Sequence, residues 1–407
     1  MTSPAVLLGA DLITLGAYRT LGRHGIKVYA LSSNFTGAYA LSSRYIFKKI
    51  LIPDVKENEE ALADFLIEFG KQFSKPPVLM ASSDSYAIMI SRYAEHLAKY
   101  FLFPDNPPGL LEAVINKKSL YSMAMDKGLS MPKTLFPGDG EGCMPAPTTG
   151  MNYPCIVKPS ISEDFVKIFR QKCLVVNNAE ELEEALKQVN KMDLEVMVQE
   201  IIPGFDDQMY MFDVYIDSTG RATHTFLAQK LRQFPINFGS STLAHHCHDR
   251  QITDLGLEFF YKLGYRGFGE IEFKKDPRDN HIYMIEINAR LSRTNALLDA
   301  AGTEFAYIIY RDLLNQPLPE VHFHEEKPWA FYFFYEDIFA VSAYRKSGQL
   351  AWKEILRPWF SHRKAHAIWA GDDIGPFFSF VKLLFSKLAD RIGLQISRFL
   401  RFKRRAG

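Results

Sequence analysis

No window of this 407-residue sequence reaches the roughly 18 uncharged apolar residues that a bilayer-spanning helix requires. The opening stretch "MTSPAVLLGAD" has no basic segment ahead of a long apolar core, so neither export nor membrane insertion is expected. Cysteine is scarce: the four residues, at 143, 155, 173 and 247, include no C-x-x-C pair and cannot form a dense disulfide framework. Such a chain suits a reducing compartment, and a cytoplasmic location is the expectation. The formal net charge of +1 offers no overall attraction for nucleic acid, so no nucleic-acid partner is expected. Repeats and low-complexity tracts are lacking as well, and an aromatic content of 14% is too high for a disordered chain.

What is present is apolar material for more than one core: 47% of the residues, enough for two or three domains. In "AVLLGADLITLGAYRTLGRHGIKVYAL", residues 5 to 31, a short apolar run meets Gly9, and Leu12, Leu15, Tyr18 and Leu21 then recur at helical spacing until Gly25. This is a strand–helix–strand unit. A helix in "NEEALADFLIEFGKQF", a strand in "PPVLMASSD" and a helix in "SYAIMISRYAEHLAKY" complete a parallel-sheet domain over residues 1–109. "GADLITLG" is not G-x-G-x-x-G, and no acidic ribose ligand closes the second strand, which argues against a dinucleotide.

Beyond "FPDNPPGL", one helix is expected in "LLEAVINKKSLYSMAMDKG", followed by a connector rich in glycine and proline. Strands in "YPCIVKPS" and "EVMVQEIIPG" flank the amphipathic helix "NAEELEEALKQV". "MYMFDVYID" pairs with "RATHTFLAQKL", and "GFGEIEFKKD" with "HIYMIEINAR". Helix mixed with antiparallel sheet makes residues 110–318 an α+β domain, and residues 319–407 form a C-terminal extension.

The last hairpin carries the chemistry. Strand side chains alternate between faces, so Glu286, Asn288 and Arg290 share one, and Glu272 lies beside Glu286 if the turn is centred near Asp279. Opposed carboxylates repel unless a cation lies between them. A hard divalent ion, Mg²⁺ or Mn²⁺, satisfies that need with oxygen ligands from Glu272, Glu286 and Asn288, and Arg290 is placed for phosphate or an oxyanion. A solvated outer sheet face is the plainer reading of the same residues.

Those residues resemble the metal-binding end of the ATP-grasp fold, whose members include D-alanine:D-alanine ligase, biotin carboxylase and carbamoyl phosphate synthetase. Four further stretches occur in the matching order, over about residues 110 to 315. The resemblance implies that Lys117, eleven residues before Gly128, and Lys158 in "YPCIVKPS" bind ATP phosphates, with Lys118 competing for the first role. It implies that Gln199, Glu200 and the backbone at Ile202, in "VQEIIPGFDD", hold the adenine side of the nucleotide, and that Asp207 accepts from the ribose. "GYRGFGEIEF" matches the strand leading to the metal. The domain over 1–109 is then similar to the Rossmann-like domain that precedes the ATP-grasp.

"AQKLRQFP" resembles a K-x-R-x-x-P pattern of carboxylate–amine ligases related to D-aspartate ligase. Lys230 and Arg232 are expected to share a strand face and meet a phosphate or a substrate carboxylate. The glycine-rich phosphate flap of the family is absent: "SISEDFVKIFRQKCLVV" contains none, which leaves Ser160, Ser162, Arg170 or Lys172 to take over its contact. "HHCH" at 245–248 has no partner pair at zinc-ligand spacing.

The function so implied is an ATP-dependent ligase that activates a small-molecule carboxylate as an acyl phosphate and joins it to an amine. An ATP-grasp enzyme with another nucleophile and a non-catalytic ATP-binding protein are the alternatives. Dimers are common in the superfamily, which leaves a homodimer as an open expectation. In "PFFSFVKLLFSKLADRIGLQISRFLRFKRR", apolar residues at helical spacing alternate with basic ones, as suits docking on the protein's own body or peripheral contact with an anionic membrane.

Overall fold

The computed structural model describes residues 3–137, 150–159, 165, 168–169, 171–192, 194–320 and 328–389. The chain folds into two compact units, each assembled from separate segments: residues 1–103, 306–317 and 366–407 form the first, and residues 104–305 and 318–365 the second. Residues 319–407 are therefore not one C-terminal extension. Their first part completes the second unit and their last part returns to the first.

In the first unit, β1 (Ala5–Leu8), β2 (Val28–Ser32), β3 (Ile46–Leu51) and β4 (Val78–Ala81) make a parallel sheet in the order β3-β2-β1-β4. All four residues of β1 are buried, as a central parallel strand covered on both faces requires. Gly9 follows β1 at φ +121°, and a Cβ there would lie 2.0 Å from the Ser82 hydroxyl oxygen, so only glycine fits this turn. The segment around Asp373 is fastened to this unit. Asp373, buried, accepts from Arg19 Nε at 3.0 Å, from the Ser43 hydroxyl at 2.8 Å and from the Arg44 backbone N–H at 2.9 Å. Residues 375–389 form a helix whose Phe380 ring meets Tyr39 edge-on. This part of the basic tail docks on the protein itself; Arg391, Arg398, Arg401 and the cluster at 403–405 lie outside the described residues. Among the described residues no helix is long and apolar enough to cross a membrane.

The second unit holds two antiparallel sheets. β5 (Thr134–Leu135), β6 (Cys155–Pro159), β7 (Leu174–Val176) and β8 (Val196–Glu200) form one, in the order β5-β8-β6-β7. The helix Ala179–Asn190 covers it with Leu182, Ala185, Leu186 and Val189, an i, i+3, i+4, i+7 stripe, and Asn178 caps its start. The other sheet comprises β9 (Met209–Ile216), β10 (Ala222–Phe234), β11 (Ser240–His246), β12 (Gly267–Lys275), β13 (Ile282–Asn288), β14 (Trp329–Tyr332) and β15 (Arg363–His366). Its order is β13-β12-β9-β10-β11-β14-β15.

Two departures from the sequence reading shape the site. The single helix expected over residues 110–128 is broken at Asn116 into Leu110–Ile115 and Lys117–Asp126. The Asn116 side chain accepts from the backbone N–H of Lys118 and Ser119, so it starts a new helix and makes Lys117 that helix's first residue.

The second departure is a β-bulge in β10. Lys230 pairs with Ala244, but Arg232 pairs with Leu243, so Leu231 is the extra residue. Residues opposite each other share a face, and Ala244 and Leu243 alternate. Lys230 and Arg232 consequently point to opposite faces, which corrects the expectation that they share one. Arg232 instead forms a buried two-point pair with Asp337, Nε to Oδ1 at 2.8 Å and Nη2 to Oδ2 at 2.7 Å, while its Nη1 donates to the Ile355 carbonyl. Thr242 donates to the same carboxylate at 2.8 Å.

A buried ion pair stripped of one partner leaves an uncompensated charge. Asp337→Ala is expected to cost about 3–5 kcal/mol in denaturant unfolding, and Arg232→Met combined with Asp337→Leu to recover most of it.

Candidate functional site

The site begins with strand register. β12 and β13 pair so that Glu272 faces Glu286 and Glu270 faces Asn288, which places all four on one face of the sheet. A bulge at Ile285 then shifts the phase: Met284 pairs with Phe273 and turns into the core, together with Ile282 and Ile287. Asn288 donates from Nδ2 to Glu270 at 2.7 Å and accepts at Oδ1 from Arg290 Nη2 at 2.8 Å, so the amide fixes the guanidinium. Glu270, half of that lock, was not among the residues singled out from sequence, although "GEIEF" sets it two places before Glu272. Ser292 also donates to Glu270, at 2.6 Å.

Lys230 arrives from β10 and donates to Glu272 at 2.7 Å, in a pair almost closed to solvent. Burial raises the Glu272 pKa; Lys230 counters it, but Glu286 and Glu270 add to it, and the net shift is upward. For Glu286 burial acts in the same sense, yet Lys230, Lys158, Lys117 and Arg290 outweigh it and hold the carboxyl below its usual value. Burial works against charge on Lys230 too, and the carboxylates, Glu272 foremost, more than restore it. Among the described residues Glu286 accepts no hydrogen bond.

The lysines come from the other side of the unit. Lys117, at the start of its helix, donates to the carbonyl of Pro159 at 2.7 Å, at the end of the strand that carries Lys158. Burial lowers its pKa and Glu286 opposes the shift. Lys118 lies with its ammonium 6.0 Å from the Phe136 ring centre. Lys158 donates at 2.8 Å to Gln199 Oε1, and Gln199 Nε2 donates at 2.8 Å to the buried Thr134 hydroxyl, a relay that aims the ammonium. Burial first, and then the charge of Lys117, push Lys158 down to about 8. Lys172 also feels Glu286 and Glu272, whereas Ser160, Ser162 and Arg170 lie outside the described residues.

Five cations, Lys117, Lys158, Lys172, Lys230 and Arg290, thus act on Glu286 or on the groups around it, against three carboxylates, Glu270, Glu272 and Glu286. The excess is positive, as a bound polyphosphate requires. Glu272 and Glu286 still face each other with a single lysine contact between them, and oxygen donors of this kind suit a hard divalent cation. Glu272, Glu286 and the Asn288 amide oxygen fit Mg²⁺. Among the described residues no group of three His, Cys, Asp or Glu is arranged to hold a metal. His245 is bonded to Gln229 and His362.

The hinge residues lie at and beyond the end of β8. Glu200 accepts from the Asn152 backbone N–H at 2.7 Å and from its Nδ2 at 3.2 Å, and Ile202 is buried. Asp206 and Asp207 divide their roles. Asp206 is buried and accepts from Gln233 Nε2, the Asn237 N–H and the Tyr344 hydroxyl, so it holds the fold, while Asp207 is exposed on the adjoining turn. Asp213 escaped the sequence reading: it sits opposite Glu270, fully buried, and burial together with Glu270's charge raises its carboxyl well above the usual range. The lone acid of an apolar strand, "MYMFDVYI", is the signal that marks it.

Residues 145–321 match the family model for the ATP-binding domain of the carbamoyl-phosphate synthase L chain. The chain is 25% identical to a D-aspartate ligase of Enterococcus faecium over 334 residues, 77% of this chain and 78% of that one. An L-amino acid ligase from Bacillus licheniformis superposes with a TM-score of 0.58 at 19% identity, over 77% of this chain and 74% of that one. The biotin carboxylase domain of Hydrogenobacter thermophilus 2-oxoglutarate carboxylase, solved with magnesium ADP and bicarbonate, superposes with a TM-score of 0.60 at 14% identity, over 80% and 73% of the two chains. These structures share the ATP-grasp fold with this chain.

Two outcomes are expected for nucleotide binding. Lys117→Ala or Lys158→Ala weakens Mg-ATP binding by roughly tenfold to a hundredfold in calorimetry, the range of a charged hydrogen bond. Phosphate binds the protonated ammonium, so above about pH 8 the affinity of the free protein falls as Lys158 loses its proton, by up to about tenfold per pH unit, and Lys158→Ala removes that slope.

Proposed function

We propose that this chain, a homologue of the ATP-dependent ligases that carries their ATP-grasp domain, activates a small-molecule carboxylate with ATP and joins it to an amine, releasing ADP and phosphate. The observation that carries the reading is the Glu272–Glu286 pair held in register and surrounded by Lys117, Lys158, Lys230 and Arg290. The likeness to a D-aspartate ligase and an L-amino acid ligase supports an amino acid as one of the two substrates.

In the first step a carboxylate oxygen attacks the γ-phosphorus of ATP, the bond to the β-phosphate oxygen breaks, and ADP leaves. An amine nitrogen then attacks the acyl carbon, the acyl–phosphate C–O bond breaks, and phosphate departs with the oxygen that made the attack. Lys117 and Lys158 offset charge on the triphosphate, and Gln199 keeps Lys158 directed at it. Glu272, Glu286 and Asn288 would hold Mg²⁺, which when bound would supply Lewis-acid stabilisation of the phosphate oxygens. Arg290, fixed by Asn288, stabilises the charge that develops on the acyl phosphate and the tetrahedral oxyanion. Lys230 serves mainly as a positioning residue, because its ammonium is committed to Glu272. Glu200 and Ile202 flank the adenine, and Asp207 accepts from the ribose. The reading includes a cytoplasmic setting and small soluble substrates.

The test is ADP release from Mg-ATP against a panel of amino acids and small carboxylic acids with amine acceptors. Release is expected only with a matched pair, with an amide product of the summed mass less water, and Glu286→Gln is expected to lower it by roughly a thousandfold. Release of AMP and pyrophosphate, or full activity in Glu286→Gln, would sink the assignment.

A further inference from the structure

The helices Phe334–Ser347 and Trp352–Ser361 belong to the second unit, and each buries one narrow side. The first turns Asp337, Ala340 and Tyr344 inward; the second turns in Ile355. Their outward sides are not the polar surfaces that solvated helices present. Phe334, Ile338 and Phe339 project from the first and Trp352, Leu356 and Phe360 from the second, with Phe360 78% exposed, Trp352 57% and Phe334 56%. At 100° per residue, Trp352, Leu356 and Phe360 form one stripe, and Lys353 and Arg357 run along its edge. The two surfaces are joined at both ends. The Arg345 guanidinium lies over the Trp352 ring at 5.1 Å, and Tyr332 touches Phe334 and Trp359, with ring centres 6.1 and 5.9 Å away.

The charges on this surface are sorted. Each acid of the two helices has a partner: Glu336 pairs with Arg293, buried Asp337 with Arg232, and exposed Glu354 accepts from the Ala351 N–H at the start of its helix. Lys346, Lys353 and Arg357 are exposed and have no acidic partner among the described residues. A second copy seated on this face across a two-fold axis would bring cations against cations. Projecting aromatic rings rimmed by lysine and arginine instead match the boundary of an anionic bilayer, where rings enter the headgroup region and cations meet phosphate.

We infer that the face formed by helices Phe334–Ser347 and Trp352–Ser361 binds the surface of anionic phospholipid membranes, with Trp352, Leu356 and Phe360 inserted and Lys353 and Arg357 on the headgroups. This surface is distinct from the candidate site built on Glu272 and Glu286. The contact is peripheral and weakens as salt screens it.

The experiment is flotation of the full chain with vesicles of phosphatidylcholine alone or with about 30% phosphatidylglycerol, beside a mass measurement in solution. Binding to the anionic vesicles only is expected. Phe360→Ser with Trp352→Ser is expected to lower it about tenfold or more, and Lys353→Glu with Arg357→Glu by a similar factor, at unchanged thermal midpoints. These side chains are exposed, so their loss leaves the core intact. Absence of binding, equal binding to neutral vesicles, or a dimer that Phe360→Ser dissolves would each overturn the inference, the last by assigning the face to a second copy.

Discussion

Two glutamates facing each other across adjacent strands are the constraint on which the second unit is built. Neighbouring carboxylates taken out of water repel, and the strands can hold them together only if cations stand close by. Much of the surrounding architecture supplies those cations. β10 delivers Lys230 to Glu272, the helix restarted at Asn116 delivers Lys117, and β6 delivers Lys158 from the other sheet. The cations around the pair outnumber its carboxylates and hold Glu286 below its usual pKa.

Fine placement comes from irregularities. In β13 the bulge at Ile285 lets Met284 face the core and Glu286 the site, which strict alternation would forbid. In β10 the bulge at Leu231 keeps Lys230 at the site and sends Arg232 to Asp337, where it ties the strand to the helix Phe334–Ser347. One short motif thus sends its two cations to Glu272 and to Asp337. Beside the facing Glu272 and Glu286, the residues Glu270, Asn288, Ser292 and Arg290 form a hydrogen-bonded chain that orients the end of β13.

The polar face of the last hairpin was legible in the sequence because register follows from period two and a turn position, and Glu272 does face Glu286. The parallel sheet of the first unit was legible from its strand–helix–strand pattern, while its edge strand β3 was not foreseen. The break at Asn116 was not, since a capping asparagine inside a helical pattern resembles any polar surface residue. Neither bulge was visible: "KLR" looks like a regular strand, and only the paired residues on β11 reveal the slip. Asp206 and Asp207 are adjacent and identical, and their separate roles depend on Gln233 and Tyr344, which lie far along the chain. Residues 319–407 read as one extension because chain order says nothing about a return to an earlier unit.

The most direct measurement is calorimetric binding of ATP to the full chain with Mg²⁺ and with a chelator in its place, for the native protein and for Glu286→Gln. If the opposed carboxylates hold a metal against the triphosphate, ATP binds native protein at least about tenfold more tightly with Mg²⁺, and Glu286→Gln loses that dependence. Equal affinity with and without the metal, or a dependence that Glu286→Gln leaves intact, would contradict the account.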